Sequence, residues 1–208
     1  HKFSAVYDQI PHNYSNTAQT LLRSDGDGNF SLPDNMQSSL ETSSTNAPGF
    51  LPWSPFVPLR VDRKKASLSY AYNPTGRWRM NMAYSGEERK GNKQIGVAYG
   101  SQMQEALEPV DYQTHSAGLG AEYVGDSSGF SANYDVSSFH NGIKALTVDN
   151  PFRLSNGALS SSGASTPGKA RLALPPDNET HQFALAYTLK PSAKSRLETE
   201  FSYALQRQ

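Results

Sequence analysis

The sequence predicts an all-β fold: a transmembrane antiparallel up-and-down β-barrel, of which about seven strands of a larger barrel lie within 208 residues. Three observations lead there. Apolar and polar residues alternate at period two, the mark of a strand with two unlike faces. The alternating runs reach about ten residues, near the ~9–11 a tilted strand needs to cross a hydrocarbon layer and above the ~5–6 of globular strands. The connections alternate short and long, as the periplasmic turns and extracellular loops of outer-membrane barrels do.

On that parity the strand from Lys2 to Ile10 runs outward and the one from about Arg60 to Tyr72 returns. Ala66, Leu68, Tyr70 and Tyr72 form its apolar face. The turn Asn73-Pro74-Thr75-Gly76 leads to Trp78, Met80, Met82 and Tyr84 on the next strand. A second hairpin joins Ala117, Leu119, Ala121 and Tyr123 to Phe130, Ala132, Tyr134 and Val136 through residues 125–129. A third joins Phe183, Leu185, Tyr187 and Leu189 to Leu197, Phe201, Tyr203 and Leu205 through residues 190–194. Long outer loops fill about 11–56, 89–111 and 141–180, all within one barrel domain. Tyr72, Trp78, Tyr84, Tyr123, Phe130 and Tyr187 lie near strand ends, where amphipathic rings settle at the headgroup level. An odd strand count leaves an edge, whereas single-chain bacterial barrels close with an even number, so a piece of a larger barrel is expected.

Composition narrows the function classes. The chain is 36% hydrophobic with a mean hydropathy of −0.63, and it has no apolar run approaching the ~18 residues of a membrane helix. A barrel strand shows lipid only at every second residue, so a polar average is compatible with it. Nineteen basic and nineteen acidic residues cancel, which removes the broad basic surface that nucleic-acid binding needs. Without cysteine the chain forms no disulfide framework, CxxC zinc site, thiol nucleophile or CxxCH haem attachment. It opens on His1, Lys2 and Phe3 already in alternation and stops in mid-pattern at Gln208, as a mature or internal piece would.

If the aromatic and aliphatic set meets lipid, the opposite, luminal set is Arg77, Arg79, Asn81, Glu122, Ser131, Asn133, Asp135, Arg196, Glu198 and Glu200. A water-filled porin and a protein-docking wall share that pattern, and a secreted β-sandwich adhesin is the rival outside membranes. Asp25-Gly26-Asp27-Gly28-Asn29 resembles the start of a calcium loop, but Phe30 and Met36 stand where an EF-hand needs Gly and Glu, so a polar turn is the stronger reading. The five histidines have no spacing that pairs metal ligands; His12, His115, His140 and His181 fall near outer strand ends as boundary residues. Ser160-Ser161-Ser162-Gly163 lacks a nucleophile-elbow context and reads as low-complexity loop. No enzyme is expected. The Pro-rich stretch Pro48 to Pro58, with Trp53 and Phe56, is the most structured part of the first long loop.

Several segments, in order along the chain, resemble the MtrB/PioB outer-membrane barrels. These are Tyr7-Asp8-Gln9-Ile10-Pro11-His12-Asn13, Asn16 to Thr20, Ser31-Leu32-Pro33, the hairpin Tyr70 to Arg89, Glu108 to His115, Val148-Asp149-Asn150-Pro151-Phe152 and Leu174 to Glu179. The resemblance implies a bacterial outer-membrane location and a large barrel acting as a sheath for a periplasmic multihaem c-type cytochrome that carries electrons across the membrane. It implies no cofactor in this chain, with haem c carried by the partner, and the luminal set facing that cytochrome. It also allows an extracellular multihaem cytochrome to touch the outer loops, the Pro-rich stretch among them. The formal sequons at Asn13, Asn29 and Asn178 carry no glycosylation meaning in such a family.

Overall fold

The computed structural model describes residues 1–43, 46–99, 102–153, 157–158 and 165–208. In chain order its elements are β1 (Lys2–Gln19), β2 (Arg23–Ser24), β3 (Asn29–Ser31), α1 (Asp34–Thr42), α2 (Ala47–Phe50), a 3-10 turn (Leu51–Trp53), β4 (Phe56–Thr75), β5 (Trp78–Tyr99), β6 (Gln102–Val124), β7 (Ser128–Asn141), β8 (Ala145–Asp149), β9 (Gly157–Ala158), β10 (Ser165–Thr166), β11 (Lys169–Ala173), β12 (Asn178–Ser192) and β13 (Ser195–Arg207). Seven of them form one antiparallel meander in the order β1-β4-β5-β6-β7-β12-β13, and this sheet is not closed. The seven strands are those read from the alternation. The short strands of the first long connection join a separate sheet and add no eighth strand to the wall.

Register carries the alternation across the whole sheet. Phe3, Tyr70, Met82, Leu119, Tyr134, Phe183 and Tyr203 pair in one continuous row, and Tyr72, Met80, Ala121, Ala132, Leu185 and Phe201 form the neighbouring one. Every apolar set named from the sequence therefore shares one face. Two turns lie later than expected. The turn expected at 73–76 centres on Gly76 and Arg77, because Thr75 pairs with Trp78; the one expected at 190–194 centres on Ala193 and Lys194, because Ser192 pairs with Ser195. In both hairpins a proline, Pro74 or Pro191, sits in the register break just inside the turn. Such a break tolerates a residue that has no N–H to give the ladder.

The long loops expected over 11–56, 89–111 and 141–180 are narrower than that, since strand pairing continues well past the alternating part. β1 runs on to Gln19, and β5 and β6 stay paired one-to-one out to Tyr99 and Gln102. Ion pairs replace apolar contacts there: across the ladder Arg63 reaches Glu87 at 2.6 Å and Lys93 reaches Glu108 at 3.0 Å, while along β5 Lys90 bonds Glu88 at 2.7 Å. The runs of four charges at 62–65 and 87–90 break period two without ending the strands. At 22 residues β5 is about twice the ~9–11 needed for a crossing, so its outer half stands beyond the lipid.

The outer connections fold into a cap. β11, β8, β3 and β2 make a four-stranded sheet in which β3 and β8 pair in parallel. Leu22, Phe30 and Leu32 from the first connection meet Leu146, Val148 and Leu174 from the third, and Val97, Tyr99 and Ala106 of the wall complete the cluster. On α1, Gln37 and Leu40 are buried at a helical i, i+3 spacing. Gly28 has φ +85, and an added Cβ would meet the Ala145 carbonyl oxygen at 2.5 Å. Gly28→Ala is therefore expected to cost the cap at least ~1 kcal/mol, from the left-handed backbone alone. Faster proteolysis of the cap with the barrel intact is the check; an unchanged cleavage rate speaks against this close approach.

Candidate functional site

The luminal candidates all fall on the face opposite the apolar one. Arg79 pairs with Glu122, which pairs with Ser131; Asn81 pairs with Gly120, which pairs with Asn133. Asp135 lies opposite Gly118 and Gln182, Glu198 opposite Thr188, and Glu200 opposite Ala186. Arg77 and Arg196 hold the same parity at the short-turn end. Residues on β5, β6 and β7 form one connected patch, while Arg196, Glu198 and Glu200 sit beyond β12 and make a second group.

Charge on this face is locally matched. The Arg77 guanidinium reaches Asp126 at 2.9 Å, Arg79 reaches Glu122 at 3.3 Å, and Arg196 pairs with Glu198. All three pairs are open to solvent, where water screens them and little stability results, so they hold side chains in place more than they hold the sheet together. At Gly120 a Cβ would lie 2.4 Å from Asn81 Oδ1 and 2.7 Å from Asn133 Oδ1. The missing side chain lets two amides from flanking strands lean together over β6. Toward the outer side the face becomes shallow: Ser67, Ser85, Ser116, Gly118, Ser137 and Thr180 help line a hollow of about 500 Å³. Asp126, the partner of Arg77, was not among the sequence candidates because a turn residue has no place in the alternation.

The histidines divide by face. His115 and His181 lie on the apolar face, where their Nδ1 atoms share hydrogen bonds with Tyr84 at 2.8 Å and Tyr134 at 2.7 Å. His140 bonds Asp177 at 3.1 Å, and His12 pairs with Val61 across β1 and β4. Among the described residues, no group of three or more acidic or histidine side chains could hold a metal ion. In the turn at Asp25 the carboxylate accepts N–H bonds from Asp27 and Asn29 and another from the Asn29 side-chain amide. That amide above all holds the Asp25 carboxyl below the usual carboxylate range.

Two of the resembling motifs prove to be joints of the cap. Asp149 accepts the Leu32 N–H at 3.0 Å and pairs with Lys169 at 3.0 Å; the Tyr99 hydroxyl donates to the Asp149 carbonyl at 3.0 Å. Burial pushes the Tyr99 hydroxyl's pKa up, so it stays a donor. Asn150 donates to the Pro167 carbonyl and accepts the Phe152 N–H, while Gln37 of α1 donates to the Asn150 carbonyl at 2.8 Å. Asp177 takes the Asn141 N–H at 2.8 Å and Lys144 at 2.5 Å; the Asn141 N–H above all, then Lys144, brings its carboxyl down to about 2. Sequence reasoning left these residues as loop, since each acts on a segment far away in the chain.

The candidate site is thus an alternating wall, apolar on one face and charge-matched on the other, with a folded cap at its long-connection end. No curated protein matches the chain. One family's sequence model does, described as "Putative outer membrane beta-barrel porin, MtrB/PioB", and the match runs over residues 1–208. With its continuous two-faced antiparallel sheet, the chain belongs to this MtrB/PioB family of the bacterial outer membrane.

Proposed function

We propose that this wall is part of a sheath that holds a periplasmic multihaem c-type cytochrome in its lumen for electron transfer across the outer membrane. One observation carries the reading: a single continuous face presents Arg77, Arg79, Asn81, Glu122, Asn133 and Asp135 with both charge signs, back to back with an unbroken apolar face. The apolar face meets lipid and insulates. The polar face, as the lumen wall, offers hydrogen bonds and charges to a docked protein, and Glu200, Glu198, Arg196 and Ser131 extend it. The role is structural, not catalytic. A chain without cysteine has no thioether-linked haem, so the haems belong to the partner.

The test uses the full-length barrel with its cytochrome. Arg77→Glu together with Arg79→Glu leaves the barrel formed, because the native pairs are exposed and weak. Cytochrome recovered with the barrel is expected to fall about tenfold, equivalent to about 1.4 kcal/mol. A barrel that conducts solutes and never carries a haem protein is a diffusion porin, and the sheath reading fails.

A further inference from the structure

We infer that the outer cap is folded inward over the mouth of the lumen, as a roof that bars small solutes from this sector of the wall. The inference rests on the reading that the polar face lines the lumen. Its warrant is parity. β5 and β6 pair without a register shift from Trp78–Tyr123 to Tyr99–Gln102, so each face can be followed from the lipid level to the outer tip. Val97 and Tyr99 fall on the face of Arg79 and Asn81, and Ala106, Glu108 and Val110 fall on that of Glu122. These residues are buried, with Val97 0% exposed, whereas Gln94, Gly96 and Ala98 on the other face are exposed. Leu59 and Val61 of β4 repeat the rule, buried on the face of Ser67 and Ser69. The cap therefore covers the polar side of the wall and leaves Gln94, Gly96, Ala98, Met103 and Glu105 of the lipid-side continuation exposed, with Leu107 there half-buried against the cluster.

Its attachment fits a roof rather than a free loop. Tyr99 reaches from the wall to the β8 carbonyls of Val148 and Asp149, at 3.3 and 3.0 Å. The cluster around Leu146 and Val148 is apolar and fully buried at its centre, which fixes the cap against the outer tips of β5 and β6.

The experiment takes the full-length barrel in liposomes, without cytochrome, and follows efflux of a neutral disaccharide. Cysteines introduced singly at Val97 and Ala98 report the cap's position through a membrane-impermeant maleimide. In the parent, Ala98→Cys labels and Val97→Cys is protected. Val148→Asp places an unpaired carboxylate in the apolar cluster and opens the cap: Val97→Cys then labels and efflux rises severalfold. Should Val148→Asp lose the heat-dependent gel shift of a closed barrel, Leu146→Ala is the milder opening. Unchanged efflux with Val97→Cys labelled overturns the roof, as does parent labelling of Val97→Cys as fast as Ala98→Cys. Cytochrome recovery is scored separately on the parent, so its loss defeats the sheath while the efflux result still decides the roof.

Discussion

Leu119→Arg is expected to destabilise the barrel by about 2–4 kcal/mol, while Asn133→Arg on the neighbouring strand leaves stability within ~1 kcal/mol. Leu119 stands in the middle of the apolar face, between Met82 and Tyr134, with 55% of its surface turned outward. In lipid that surface is favourable for leucine and costly for a guanidinium. Asn133 points to the other side, where Asn81 leans toward it over Gly120 and Glu122 and Asp135 lie nearby. A new arginine there finds water and carboxylates. The measurement is a urea titration of the full-length protein folding into vesicles, read by the heat-dependent gel shift. Equal costs for the two arginines would sink the assignment of lipid and lumen faces.

The second large effect belongs to the cap. Leu146→Ala removes a side chain that is 0% exposed, at the junction of β8 with the first connection and the wall. Deleting a buried leucine costs ~2–5 kcal/mol, because the transfer energy and the cavity add. The barrel should persist, since the wall joins the cap's core through Val97, Tyr99 and Ala106 at the outer tips of β5 and β6, beyond the lipid. Cleavage of an opening segment follows its open population when reclosing is fast. A 2 kcal/mol loss then raises cap proteolysis about thirtyfold, at about 1.4 kcal/mol per decade. Loss of the gel shift along with the cap would show that wall and cap do not fold separately.

How much of this was legible in sequence follows from the range of the forces involved. A strand between lipid and a polar lumen writes its environment into every second residue, so Tyr70, Met82, Leu119, Tyr134 and Phe183 announce one face before any pairing is known. The luminal candidates followed by subtraction. The outer half of β5 and β6 was hidden, because Glu87, Glu88, Arg89 and Lys90 look like a loop and are in fact strand residues in ion pairs, Glu87 with Arg63 across the ladder and with Arg89 along β5, and Glu88 with Lys90 along β5. The cap left still less trace. Leu32 and Asp149, 117 positions apart, meet through one hydrogen bond, and nothing local in either segment names the other. Gly28 looked like a turn glycine; the close approach of the Ala145 backbone is a fact of three dimensions.

That distance along the chain also sets an order of events during biogenesis. The interior of the cap draws on Leu22, Phe30 and Leu32 near the start and on Leu146, Val148 and Leu174 much later, with β5 and β6 between them. None of these segments has enough apolar surface to fold alone, and loop closure over such separations is slow. Whichever of the two outer segments reaches the cell exterior first therefore stays there with its apolar side chains exposed until the other arrives. Completion of the cap marks the point at which three successive hairpins have been delivered to the correct side, and a stalled insertion leaves an apolar, protease-sensitive tail at the cell surface.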